Sequence, residues 1–140
     1  MTTDSTTPAP GSTVPPVPDD APAVLVTYMR MWNERDPEKI RGHLDAAVSE
    51  DCVWVDPQHQ HVGRDALEAN VRGFRAQFPD ADLGVGSNVD GHNGRHRYEW
   101  VIVTGGELLL RGFDVVTIAE SGLIERVDGF FGTLERVGPQ

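Results

Sequence analysis

Apolar and polar positions along the chain fall into three helical stretches followed by a run of strands. Val24, Tyr28 and Trp32 recur at i, i+4 and i+8 with Leu25 beside them, which predicts one apolar helix face. Asp20 and Pro22 supply an N-cap and first-turn pair for that helix. Asp36-Pro37-Glu38 starts a second helix, with Ile40, Leu44 and Ala47 as its buried stripe. Val53 to Val55 predicts a strand that ends at Asp56-Pro57. After Gly63 a third helix carries Leu67, Val71, Phe74 and Phe78 on one face, and Pro79 stops it. Beyond it the pattern is strand-like. Weak alternation runs from Ala81 to Val89, and Asp90-Gly91-His92-Asn93-Gly94 forms a turn. Strands then cover Arg95 to Thr104, Leu108 to Ala119 and Leu123 to Leu134. Gly105-Gly106 and Ser121-Gly122 separate them as tight turns. Helices segregated from antiparallel strands predict an α+β fold, one curved antiparallel sheet wrapped on three helices.

Composition changes this picture at the N-terminus. Residues 1–22 hold six of the ten prolines, five threonines, three acids and no base. Such a stretch buries too little apolar surface to offset its ordering entropy, so residues 1–22 are expected to be a disordered tail before a single domain at 23–140. The tail has no basic start and no apolar centre, unlike a secretory signal. The whole chain of 140 residues carries a formal net charge of −10. That balance argues against nucleic acid and anionic membrane surfaces as partners, since both require a basic footprint. No apolar run approaches the length of a membrane span. Cys52 is the single cysteine and can form no intrachain disulfide. A cytoplasmic location is the simplest expectation.

Several polar residues could carry chemistry. Asp114 stands among Phe113, Val115, Val116 and Ile118. A carboxylate in so apolar a strand faces solvent, pairs with a base such as Arg97 or Arg111, or stays protonated. Arg97 and Glu99 sit at i and i+2 and so share one side of their strand. Simple alternation sends them to water and sends His96, Tyr98, Trp100 and Ile102 to the core. If that aromatic series faced outward instead, it would offer an apolar patch for a homodimer. His59 and His61 lack an evident third ligand, so no metal is expected there. A polar loop after Pro57 accounts for them, and either could reach a pocket mouth and hydrogen-bond Asp56. Cys52, at a strand start, reads as a small core residue. No phosphate loop, dinucleotide fingerprint or nucleophile elbow is present, and no cofactor is expected.

The order of elements resembles the nuclear transport factor 2-like superfamily, which includes ketosteroid isomerases, SnoaL-like polyketide cyclases and limonene-epoxide hydrolases. The matching pieces are Tyr28-Met29-Arg30-Met31-Trp32-Asn33 followed by Asp36, then Val55-Asp56-Pro57 and Gly63-Arg64-Asp65-Ala66-Leu67. Gly112-Phe113-Asp114-Val115-Val116 and the stretch from Gly122-Leu123-Ile124 to Gly129-Phe130-Phe131-Gly132 complete the set. The resemblance implies a cone-shaped sheet around an apolar pocket, often dimeric through the outer sheet face. It implies an isomerase or cyclase that moves a proton on a small hydrophobic, carbonyl-bearing molecule. Asp56 aligns with the isomerase base, and Tyr28 and Asp114 align with the donors of its oxyanion hole, a known case of a carboxylic acid held neutral by its site. Trp32, Trp54, Phe74, Val101, Val116 and Phe131 are expected to line the pocket. Counted back from Asp114 without a gap, Arg97 and Glu99 point into it as well. Their spacing resembles the arginine–carboxylate set of the epoxide hydrolases, which makes epoxide opening the alternative activity. A ligand-binding module without turnover is a second alternative. The last-strand acid of the cyclases and epoxide hydrolases aligns with Gly129. Asp128 is one residue away and is expected to point to the opposite face.

Overall fold

The structure is a computed structural model that describes residues 14–139. Along the chain run α1 (Ala23–Asn33), α2 (Pro37–Ala47), β1 (Val48–Asp56), β2 (His59–Val62), α3 (Arg64–Gln77), β3 (Asp82–Val85), β4 (Asp90–His92), β5 (Arg95–Thr104), β6 (Glu107–Ile118) and β7 (Ile124–Phe131). Local chemistry sets several of these boundaries. The Asp36 side chain accepts from the Glu38 N–H and Pro37 opens α2, a satisfied cap. Asn93 and Gly94, at φ 49 and 80, form the turn between β4 and β5.

The strands form one open, curved sheet in the order β2-β1-β7-β6-β5-β3, with β4 also paired to β5. One pairing departs from the expected antiparallel sheet: β1 runs parallel to β7. All other pairings are antiparallel. The ladders shift register between Ile102 and Val103, between Thr117 and Ile118, and between Val48 and Val53. Such irregularities bend a sheet, here around the helices. Leu25, Met29, Trp32, Ile40, Leu44, Leu67 and Val71 pack from the helices onto Trp54, Tyr98, Val116 and Val127 of the concave face. Among the described residues no helix is long and apolar enough to cross a membrane.

Two expectations need correction, and one open alternative falls away. First, residues 59–62 form a strand paired with β1, with Asp56 opposite His59 and Trp54 opposite His61. Their polar sequence hides this because they close a hairpin at the sheet edge. Second, the expected tail is too long. Val14 and Val17 are buried, and the Val85 N–H donates to the Pro15 carbonyl. A Cβ at Gly84 would lie 1.8 Å from Val14 Cγ1, so the glycine makes the seat for this valine. Residues 1–13 of the expected tail lie outside the described residues. Third, Tyr98, Trp100 and Ile102 face the concave side, where they pack in or against the core. The aromatic series therefore does not supply the outer apolar patch considered for a dimer.

Candidate active site

The register of the sheet builds the site. Tyr98 on β5 pairs with Asp114 on β6, and Asp114 pairs with Gly129 on β7. Val55 on β1 pairs with Asp128, so Asp56 follows beside Gly129. Directly paired residues share a face, and these four positions make one row across the concave side. Gly129 places no side chain between the two acids. A Cβ there would stand 3.0 Å from Asp114 Oδ1 and 3.4 Å from the Asp56 Cβ.

Above this row lies a cavity of about 670 Å³, walled by Tyr28 and Trp32 of α1, Phe74 of α3, Trp54 and Asp56 of β1, Trp100 of β5, Asp114 of β6 and Phe131 of β7. Its size suits a small organic ligand. Trp32 touches both Trp54 and Phe74, with ring centroids 5.8 and 5.6 Å away, yet the three leave the cavity open. Gln58, Asn70 and Gln77 add polar groups to the largely aromatic wall.

The two acids sit in different surroundings. Asp114 is buried, and its Oδ2 accepts from the Tyr98 hydroxyl at 2.9 Å. Loss of water around it pushes its pKa up to about 7. Hydrogen bonding from Tyr98 and Trp100 opposes that rise, while the negative charges of Asp56 and Asp128 add to it. Asp56 ends β1, and its Oδ1 accepts from the Gln58 N–H and from His59 Nδ1, both at 2.9 Å. Tyr28 accepts from Trp54 Nε1 at 2.8 Å, which leaves its own hydroxyl proton free to donate. Burial, and then the charge of Asp114, hold the Tyr28 phenol well above its ordinary pKa. Tyr98 is raised for the same reasons. Both phenols are therefore donors at neutral pH.

The structure brings together Tyr28, Asp56, Asp114, Trp32, Trp54, Phe74 and Phe131 in the wall of this cavity. It does not bring Arg97 and Glu99 there. Arg97 is exposed and pairs with Asp90 at 3.0 Å. Glu99 lies 3.8 Å from Arg111 on the convex side. The shift between Ile102 and Val103 is the cause. The pairs Thr104–Glu107 and Val103–Leu108, continued without it, would set Asp114 opposite Arg97; the extra residue sets it opposite Tyr98 instead. Val101 pairs with Arg111 and so also belongs to the convex side. Val116 is fully buried beneath the site and does not line it. Asp128 faces away from the cavity and is bound by Arg126.

Sequence reasoning missed Tyr98 as the partner of Asp114, and it missed Trp100 as wall. The alternation of β5 carried the signal for both. It also left His59 as a loop residue that could reach Asp56, whereas β2 fixes it against that carboxylate. Among the described residues no cluster of three or more His, Cys, Asp or Glu is arranged to hold a metal ion.

Residues 25–127 match the family of SnoaL-like domains. A proposed isomerase of the SnoaL-like family from Agrobacterium tumefaciens strain C58 is 30% identical, with a TM-score of 0.75, over 79% of this chain and 96% of that one. A nuclear transport factor 2-like protein of unknown function from Exiguobacterium sp. 255-15 is 17% identical, with a TM-score of 0.66, over 79% and 99% of the two chains. A proposed SnoaL-like polyketide cyclase from Jannaschia sp. CCS1 is 14% identical, with a TM-score of 0.61, over 81% and 90%. The last two show a shared fold. Among curated protein sequences, none matches this chain.

Proposed function

Because the chain belongs to the SnoaL-like domain family, within the nuclear transport factor 2-like superfamily, we propose that it is an acid–base enzyme acting without a cofactor on an apolar, carbonyl-bearing small molecule. It moves a proton next to the carbonyl, as an isomerase or a cyclase does. The observation that carries this reading is the row Asp56–Gly129–Asp114 on the floor of an aromatic cavity, with the two acids in unlike surroundings. Tyr28 and protonated Asp114 donate to the carbonyl oxygen as negative charge develops on it. The Asp56 end of the row receives the proton from the adjacent carbon. The aromatic walls exclude water, which strengthens both interactions. Epoxide opening by an arginine–carboxylate set has lost its support, since Arg97 and Glu99 lie on the other side of the sheet.

A simple probe tests the reading. 2-Tetralone is a flat aromatic ketone with acidic protons beside its carbonyl. In D2O the protein should speed the loss of those proton signals over buffer, followed by NMR. Asp114→Ala should slow the exchange roughly 100-fold, the usual loss for one oxyanion donor. An unaccelerated exchange, or one indifferent to Asp114→Ala, would overturn the proposal in favour of a binding module.

A further inference from the structure

We propose that the proton acceptor at the Asp56 end is Nε2 of His59, and that Asp56 is its positioning residue; this deepens the acid–base reading above and rests on it. The β1–β2 hairpin pairs Asp56 directly with His59, so both side chains stand on the concave face, and both line the cavity. Asp56 Oδ1 lies 2.9 Å from His59 Nδ1 and also accepts from the Gln58 N–H. An ionised carboxylate only accepts hydrogen bonds, so Nδ1 carries the proton and Nε2 is left with a bare lone pair. The ring is held in place by its neighbours: the Trp54 centroid lies 6.1 Å away and the His61 centroid 5.5 Å away. Exposure divides the two roles. The Asp56 side chain is 10% exposed and that of His59 is 38% exposed. The carboxylate is thus the recessed partner, and the imidazole reaches both the cavity and solvent.

The step balances. The C–H bond beside the ligand carbonyl breaks, and its electron pair moves into the C=C–O⁻ enolate facing Tyr28 and Asp114. The proton forms an N–H bond at Nε2, and the resulting imidazolium rests against the Asp56 carboxylate. Where the ligand carries a further double bond conjugated with the enolate, return of that proton to its far carbon gives the isomer. Exchange with solvent gives the deuterated ketone, because His59 reaches the opening.

Two measurements on the full chain test this. In the first, ring 15N shifts of His59, assigned through its own side-chain protons, report its neutral tautomer. The Nδ1–H form is expected in the wild type, with a shift toward the Nε2–H form in Asp56→Ala. A wild-type Nε2–H form would overturn the proposal without any variant having to fold. In the second, 2-tetralone exchange should fall at least about 100-fold in His59→Gln, the scale of a lost general base. Asp56→Asn, which keeps an oxygen acceptor for Nδ1–H, should retain more activity than His59→Gln. If His59→Gln exchanges like the wild type while Asp56→Asn is dead, Asp56 is itself the base: the inference fails and the acid–base reading stands. If the wild type does not accelerate exchange at all, both fail together.

Discussion

At the scale of single residues, Asp114 governs the pH response of the site. Its folded-state pKa of about 7 exceeds the ordinary carboxylate value of 3.8. Between those two values the unfolded chain ionises this group while the folded chain keeps it protonated. The stability it contributes is therefore complete at low pH, declines as pH rises from about 4 and is gone above about 7. Asp114→Asn removes this dependence. It should have little effect on stability near pH 4 and gain steadily over the wild type up to pH 8, as read by urea unfolding at a series of pH values. The same titration removes a donor from the cavity, so wild-type 2-tetralone exchange should carry a falling limb near pH 7 that Asp114→Asn lacks. A limb shared by both proteins would place the titration elsewhere. Trp54 offers a second residue-level check. Trp54→Phe keeps an aromatic wall but removes the donor to Tyr28, and should cost about 1 kcal/mol of unfolding free energy.

At the scale of elements, the segment before α1 belongs to the fold. Val14 and Val17 are buried, and Pro15 accepts from β3 at an edge of the sheet. An open strand edge with unpaired N–H groups is prone to pairing with other chains, and this segment covers part of it. Deleting residues 1–17 removes both valines and should cost about 2–4 kcal/mol, an upper figure for two buried side chains of this size. Thermal melting and light scattering of the shortened chain test this: a lower midpoint and a greater tendency to associate are expected, and an unchanged midpoint would show that the contacts are inconsequential. Arg75 performs a different task between elements. Its buried guanidinium donates to the carbonyls of Trp32, Ala81 and Pro79, tying the end of α1 to the link between α3 and β3. Burial lowers its pKa, and the hydrogen bonds to three carbonyls rather than an ion pair make the charge tolerable there.

At the scale of the whole molecule, Cys52 serves as a reporter. It is 1% exposed, and burial pushes its thiol up to about 11. Thiolate is the reactive species, so the folded protein should react with an aromatic disulfide reagent only through opening of the structure. At pH 8 its labelling rate should rise with urea in parallel with loss of the native signal, and a ligand that fills the cavity should slow it. Rapid labelling in the absence of urea would mean that the β1 region opens on its own. The excess of acids works at this scale too. A surplus of negative charge repels polyanions in general, and the cavity wall is largely aromatic, with the carboxyl groups of Asp56 and Asp114 set into it.

The sequence by itself determined the three helices and the order of the longer strands, because helix periodicity, the Asp36-Pro37 start and the glycine turns are local signals that tertiary contacts rarely reverse, while the short strands β2 and β4 read as loop and turn. It also marked Asp114 as anomalous, since a carboxylate among Phe and Val residues is costly wherever it points. Tertiary structure decided which side of the sheet each β5 residue occupies. Side chains alternate with a period of two, so the single extra residue on β6, Leu109 opposite the Ile102–Val103 step of β5, set Asp114 against Tyr98 and left Arg97, Glu99 and Val101 on the convex face. It decided the parallel β1–β7 pairing, which no local signal encodes because its partners are about 70 residues apart. It decided that Val14 and Val17 pack although their neighbours are prolines and threonines: the glycine at position 84 and the free edge of β3 receive them. And it set His59 against Asp56, because a four-residue polar strand gains its order from pairing with β1 and not from its own composition.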